Sequence, residues 1–391
     1  MIRRLRRRIA LVIAAIAAAL GGVALTHRAP SEERPRAEEQ RRPRDRDRDE
    51  PRRDRPSDRP KDRDGDARQR PPRDSAPPGL VVGEYRLARV IDGDTVRVDG
   101  LDASLRLIGI DAEETFKSNA DRRDFESASW ADYLAKKRGD SKRPIKAPTP
   151  MGDAARTWGS RWFTGDRRVR IERDHPAEIR DRFDRYLAYV MAEKDGRWVN
   201  YNVELVRAGM SPYFPKYGNS RRFHREFVEA EAEAKAAKRG IWEPGAKAYP
   251  DYPEREAWWT ARGDFVAAFR REGEGKPGYI DITHEDALAQ LQARVGQEVH
   301  VLGTIDDVSK GTRGPGRLRM MHDQHRSISA VFAEPDVLAR SGAAAWRGEF
   351  VVVTGVPRLR GSKKGGEERI EIAVERASQL RLSPVPGLPA P

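Results

Sequence analysis

Val90-Ile91-Asp92-Gly93-Asp94-Thr95-Val96 and, further on, Leu105-Arg106-Leu107-Ile108-Gly109-Ile110-Asp111 are the two stretches whose reading decides the fold. In the first, an Asp-Gly pair sits between apolar residues, the signal for a tight turn joining antiparallel strands. Strands are therefore predicted over 85–90 and 96–98, with a second hairpin turn at Asp99-Gly100. The strand over 105–110 is mostly apolar, as a strand buried on both faces would be, yet it carries Arg106, and a buried charge requires a partner. Asp111-Ala112-Glu113-Glu114 follows at once, so these three carboxylates and the two of the first turn converge on one rim of a small sheet. Oxygen ligands on turns suit calcium or magnesium better than zinc.

Working outward, Asp181-Arg182-Phe183-Asp184-Arg185-Tyr186-Leu187-Ala188-Tyr189-Val190 is the next block. Val199-Asn200-Tyr201-Asn202-Val203-Glu204-Leu205-Val206-Arg207-Ala208-Gly209 comes next, and Gly240-Ile241-Trp242 closes a helix. Helical composition runs over 151–163 and 223–238, the second with Phe223, Phe227, Ala230, Ala234 and Ala237 at core spacing. An Asp-Gly-Asp-Thr alone is an ordinary turn. The five blocks in this order, however, resemble the signature of the staphylococcal nuclease (thermonuclease) family, with the region covered spanning 81–245. The resemblance implies a mainly β fold with α-helices: a five-stranded OB-type barrel with helices packed on it.

What the resemblance implies for chemistry is calcium-dependent hydrolysis of DNA and RNA by an activated water. Asp94 and Asp111 fall on the calcium carboxylates, the backbone carbonyl of Ala112 adds a ligand, and Asp92 supports them from behind. Glu114 falls on the general base, and Arg106 and Arg185 on the residues that hold the scissile phosphate, whose oxygens match a planar guanidinium fork. Tyr213 and Tyr217 lie where relatives place rings near the nucleotide, although with Pro212 and Pro215 among them ordinary loop packing is the other reading. Three departures stand out. Asp184 replaces the usual glycine beside Arg185, an extra carboxylate that either repels the substrate or salt-bridges Arg185 in competition with the phosphate. Glu113 replaces the usual proline, which is expected to loosen the turn presenting Glu114. Residues 116–150 read as an insertion with basic runs at Lys136-Lys137-Arg138 and Lys142-Arg143, either a groove-widening lid or a tolerated surface loop.

The 391-residue chain is long enough for two folded units behind a tail. Five arginines precede an uncharged, apolar run from Ile9 to Thr26, either a membrane anchor or a cleaved export signal, with the remainder then outside the cytoplasm in the envelope or secreted. Residues 27–80 are dominated by Arg, Asp, Glu and Pro, too polar to repay ordering, and are expected to be disordered. Of the net charge of +13, +5 lies in the first 26 residues, +3 in 27–80 and +5 in 81–247, leaving the rest neutral. More than half of the basic excess thus sits in a region as suited to an anionic lipid surface as to nucleic acid, and charge does not decide the partner. The absence of cysteine excludes disulfides, thiolate metal sites and cysteine nucleophiles.

After a connector over 246–282 with Trp258 and Trp259 as packing anchors, Thr283 and Asp286 suggest a capping box for a helix to about Arg294. Strands are predicted over 298–308, 317–322, 328–333, 350–359 and 369–375, with a helix over 335–346. Three strands, a helix and two strands is the OB layout, making 283–391 a second OB-fold-like domain. Its loops 310–319 and 360–366 are basic and rich in glycine, compatible with nucleic-acid binding or with a spacer or protein-binding role. His322 and His325 read as sheet-edge residues rather than metal ligands. The rival readings for the whole are a non-catalytic nucleic-acid-binding module and an envelope scaffold that binds protein.

Overall fold

Turn chemistry builds the first barrel in the computed structural model, which describes residues 79–139, 144–165, 167–311, 314–361 and 369–385. The apolar run over 9–26 and nearly all of the polar tail lie outside the described residues, among which no helix is long and apolar enough to cross a membrane. Along the chain come β1 (Val81–Asp92), β2 (Thr95–Val98), β3 (Leu105–Leu107), β4 (Gly109–Ile110), α1 (Asn119–Glu126), α2 (Trp130–Arg138) and α3 (Pro150–Trp162). They are followed by β5 (Arg168–Glu172), β6 (Tyr186–Lys194), β7 (Arg197–Asn200), α4 (Tyr201–Arg207), β8 (Tyr213–Phe214), α5 (His224–Ala236) and α6 (Tyr252–Glu272). The Asp-Gly turn sets Asp92 opposite Thr95, β2 runs antiparallel to β3, and β3 runs parallel to β6. β6 pairs with β5, which returns to β1, so the ring β1-β2-β3-β6-β5 closes. Leu87, Val96, Leu105, Leu107, Ile171 and Leu187 fill its interior, and Phe227 and Ala230 of α5 pack on it at the spacing expected from sequence.

The second barrel has the same order of strands. It comprises β9 (Tyr279–Asp281), α7 (Ala287–Gln292), β10 (Val299–Ser309), β11 (Gly316–Met321), β12 (Ser327–Phe332), α8 (Pro335–Arg340), β13 (Phe350–Gly355), β14 (Pro357–Arg360), β15 (Arg369–Val374) and β16 (Leu380–Leu382). β10 pairs with β11, β11 with β12, β12 in parallel with β15, β15 with β14, and β13 back with β10. The single strand expected over 350–359 bends after Gly355 into β13 and β14, and this bend carries the sheet around the barrel. Side chains alternate: Leu318, Met320, Ile328, Ala330, Phe332, Ile370 and Ile372 point into the core.

Three expectations need correction. Residues 116–150 are not a plain loop: α1 and α2 pack Phe125 against Phe116 and Tyr133 (5.4 and 5.3 Å), and Tyr133 donates to the carbonyl of Pro148 (2.7 Å). Of the expected basic runs, Lys137 pairs with Asp124 (2.8 Å) and Arg138 with Asp251 (3.1 Å), while Lys142-Arg143 lies outside the described residues. The supposed connector contains the longest described helix, α6. Its Trp259 packs on Phe214 at 4.5 Å, and its Val266 and Phe269 share a core with Leu302, Phe350 and Val352 of the second barrel. Last, Thr283 caps no helix, because its hydroxyl donates to Asp281 instead (2.7 Å) and Asp286 at the start of α7 makes no side-chain cap.

Candidate active site

Arg106 finds its partner across the first turn. Its guanidinium lies between two carboxylates, one Nη on Asp94 and the other on Asp111 Oδ1 (2.8 Å), with the arginine side chain only 5% exposed. Strand pairing produces this: Thr95 opposes Arg106 on β2 and β3, and Asp111 immediately follows β4. Burial alone would lower the Arg106 pKa, but Asp94 and Asp111 outweigh it and hold the guanidinium charged. For Asp94, burial acts upward, while Arg106 and the hydrogen bonds from Asp92 and Thr95 bring its carboxyl below the usual range. Asp92 behaves oppositely: burial, then repulsion by Asp94, raise it to about 7, and its Oδ1 is buried without a hydrogen-bond partner. Gly93 is required here because a Cβ would come within 2.5 Å of Ala112 and 2.9 Å of Ala155, and that close approach brings Ala112 against the turn.

Glu114 is positioned by the start of α3. Thr149 caps that helix by accepting from Gly152 N–H (3.1 Å), and its own N–H donates to the Glu114 carbonyl (3.0 Å). Gly152 lies so near that a Cβ would meet this carbonyl oxygen at 2.1 Å. The Glu114 carboxylate remains half-exposed with Lys117 3.4 Å away. Glu113, expected to loosen the turn, does the reverse. It is buried, taking hydrogen bonds from the Thr149 hydroxyl, from Tyr249 N–H (2.6 Å) and from the Tyr252 hydroxyl (2.8 Å). Burial pushes its carboxyl up, and those three donors oppose the rise.

Arg185 immediately precedes β6, whose first residue Tyr186 pairs with Leu105 beside Arg106, so the entry to β6 stands next to the strand that carries Arg106. An ion pair with Asp184 is absent. Arg185 instead donates to Asp181 Oδ2 through Nε (3.0 Å) and Nη2 (2.6 Å), and Asp184 pairs with Arg180 (3.0 Å). The cause is the backbone: Asp184 has φ +65°, the left-handed turn that glycine occupies most readily, and this turns its side chain away. Asp181 is a residue the sequence reading missed, although it begins the Asp-x-x-x-Arg run. Its Oδ1 accepts from the N–H groups of Phe183 and Arg185 (2.9 and 3.0 Å), so one buried carboxylate shapes the turn and fixes the guanidinium.

Of the two tyrosines, Tyr213 is not available to a base. It stacks on Phe227 at 4.8 Å, buried, and its hydroxyl accepts from Ser220 N–H (3.0 Å). Tyr217 does line the cleft with Asp111, Lys146, Asp181, Phe183 and Lys216, a space of about 380 Å³. Its hydroxyl is buried and unpartnered, and the field of both Arg106 and Arg185 reaches it. Lys216 was also missed. Burial first, and Arg106 next, lower its pKa to about 8. A lysine in a Pro-Lys-Tyr loop gives no sequence signal of that environment.

One further group of ligand-type side chains, His175, Glu178 and His284, has its atoms within 4.8 Å of one another. Glu178 is already engaged by Arg270 (2.7 Å) and Arg221 (3.2 Å), and the two rings stack at 4.5 Å and 13°. Two guanidiniums and parallel rings make this a joint between the barrels rather than a cation site. His322 Nδ1 donates to the Ile282 carbonyl (2.8 Å), as a sheet-edge residue does.

Comparison with known proteins agrees with this geometry. Residues 104–244 match the family model described as staphylococcal nuclease homologue. The chain is 30% identical over 163 residues to the thermonuclease of Staphylococcus hyicus, covering 40% of this chain and 75% of that one. It is likewise 30% identical over 166 residues to the thermonuclease of Staphylococcus intermedius, covering 41% and 76%. An uncharacterized protein of Methanocaldococcus jannaschii is 29% identical over 159 residues, 40% of this chain and 70% of its own. With a closed five-stranded barrel, the carboxylate-arginine cluster on its rim and these relatives, the chain belongs to the staphylococcal nuclease family.

Proposed function

We propose that the protein is a calcium-dependent phosphodiesterase that cleaves DNA and RNA. The observation that carries this reading is the Asp94-Arg106-Asp111 cluster, with the unpartnered Oδ1 of Asp92 buried behind it. The donor set fits a hard cation: Asp94, Asp111 and the Ala112 carbonyl offer oxygen only, and Asp92 adds a further carboxylate. When bound, calcium would neutralise charge building on the phosphate and help orient it. The chain's own residues do the remainder. Arg106 and Arg185 donate to the phosphate oxygens, Asp181 holding Arg185 in place. Glu114, on its fixed backbone and open to solvent, takes a proton from the attacking water. Lys216 supplies a further positive charge in the cleft. No covalent enzyme intermediate is needed.

The decisive experiment is hydrolysis of single-stranded DNA by the full chain, with calcium and with chelator. Cleavage only with calcium is expected, and Arg185→Ala should lower kcat by about 100-fold or more, as loss of a preorganised donor does. Full activity in chelator would remove the calcium assignment, and binding without cleavage in calcium would favour the non-catalytic reading. The apolar run over 9–26 leads us to place the protein at the cell envelope, anchored or exported, which fractionation of cells would test.

A further inference from the structure

The cleft beside Asp111 and Tyr217 does not end at the nuclease barrel. Its far wall belongs to the second barrel, through Thr304, Met321, His322 and Phe350. A space of about 390 Å³ continues from it, sharing Arg180, Asp181, Thr283 and His322 with the cleft. That space in turn shares Glu285, Gln324, His325 and Arg326 with a groove of about 1570 Å³. Common walls make the three one trough, from Asp111 and Tyr217 to the outer face of β11, β12 and β15.

We infer that this trough receives a single strand of nucleic acid leaving the catalytic cleft, so that the second barrel is a substrate-holding surface of the nuclease. The inference rests on the proposed function. On the outer face, Arg319 stands opposite Ser329, which stands opposite Glu371, and Arg369 stands opposite Arg360. This is the sheet face that OB folds present to oligonucleotides. Acidic partners temper the charge: Arg317 pairs with Glu371 (2.6 Å) and Arg319 with Asp306 (2.7 Å). The Arg319 pair is exposed, and exposed ion pairs are weak, so a phosphate competes with its carboxylate on equal geometric terms, whereas the Arg317 pair is part-buried.

The chemistry selects among nucleic acids. Among the described residues no Phe, Tyr or Trp side chain lines the groove on this face, so recognition runs through phosphates and is tolerant of sequence. The cleft between the barrels has the volume of a small-ligand pocket, about that of one nucleotide, and leads onto the face of one barrel. A duplex, stiff over about 150 base pairs, does not follow such a path, whereas a single strand does.

The test uses the full chain and fluorescent oligothymidylates of about 6 and about 24 nucleotides, the longer exceeding the roughly 4–16 that one OB face covers. The kcat/KM in calcium should be at least about tenfold higher for the longer strand. Arg317→Ala, Arg319→Ala and Arg369→Ala combined should abolish that advantage and leave the short substrate within about twofold. The same triple variant should flatten the salt dependence of log Kd for the longer strand by about 2, at about 0.7 per lost phosphate contact. An advantage that survives the triple variant, equal loss on both lengths, or equal affinity for a duplex of the same length would overturn the inference. Affinity in chelator separates the two readings. Length-dependent binding that needs these arginines, without cleavage in calcium, keeps the trough and rejects the nuclease; cleavage without length dependence does the opposite.

Discussion

Asp184 and Lys216 are the residues at which this site departs most from what its motif implies. Asp184→Gly removes the strain of φ +65°, worth about 1 kcal/mol, and also an exposed pair with Arg180 worth about 0–1 kcal/mol. The two effects offset. The thermal midpoint should stay within about 3 °C and turnover within about twofold of the parent, because the carboxylate does not contact Arg185. A tenfold change in turnover would mean that Asp184 acts on the phosphate after all. For Lys216 the sign follows from a pKa lowered to about 8: the ammonium is present below that pH and is lost as pH rises through it. KM for DNA at constant ionic strength should therefore rise severalfold between about pH 7 and about pH 9. Lys216→Met should show the higher KM already at the lower pH and no step. Identical profiles in the two proteins would refute a role for the charge.

At the scale of elements, the loop bearing Glu114 is held through Glu113, whose three donors come from the start of α3 and from the region entering α6. Glu113→Ala leaves those donors buried and unpaired, at roughly 1–3 kcal/mol each before relaxation. A loss of about 2–5 kcal/mol in urea unfolding is expected, with a fall of about tenfold or more in kcat, while Glu113→Gln should lose less on both. Unchanged turnover in Glu113→Ala would show that Glu114 needs no such support. The sequence could not show this role, because Tyr249 and Tyr252 stand 136 and 139 positions from Glu113 and contact is made only by tertiary folding. Most strands of both barrels were legible because the Asp-Gly turn and the apolar runs are local signals, whereas β5, which closes the first barrel on β1, and the short β9 and β16 were not read from the sequence. The helices α1 and α2 were not read from the sequence, although Ser118-x-x-Asp121 and Ser129-x-x-Asp132 mark their starts, where each serine accepts from the aspartate N–H at 3.1 Å. The meeting of Asp94 and Asp111 on Arg106 was legible as a set, whereas Asp181 and Lys216 depend on turn geometry and burial that no local pattern encodes.

For the whole molecule, α6 is the element on which both barrels depend. Arg255 near its start is buried against Asp251 (2.6 Å) and the carbonyl of Ile145, Arg270 near its end reaches Glu178 (2.7 Å), and Val266 and Phe269 lie in the core shared with the second barrel. A chain ending at residue 282 would expose that apolar face, at roughly 25 cal/mol per Å² of apolar surface returned to water. It should melt at least about 5 °C below the full chain and bind hydrophobic dyes, and an unchanged melting temperature would show that the face is not needed. The boundary between the two modules is consequently a helix interior instead of a hinge. Recombination that exchanged one module at that boundary would leave each partner with half of a core, so the pair is heritable only as a block, and swapping in another binding module would require importing α6 with it.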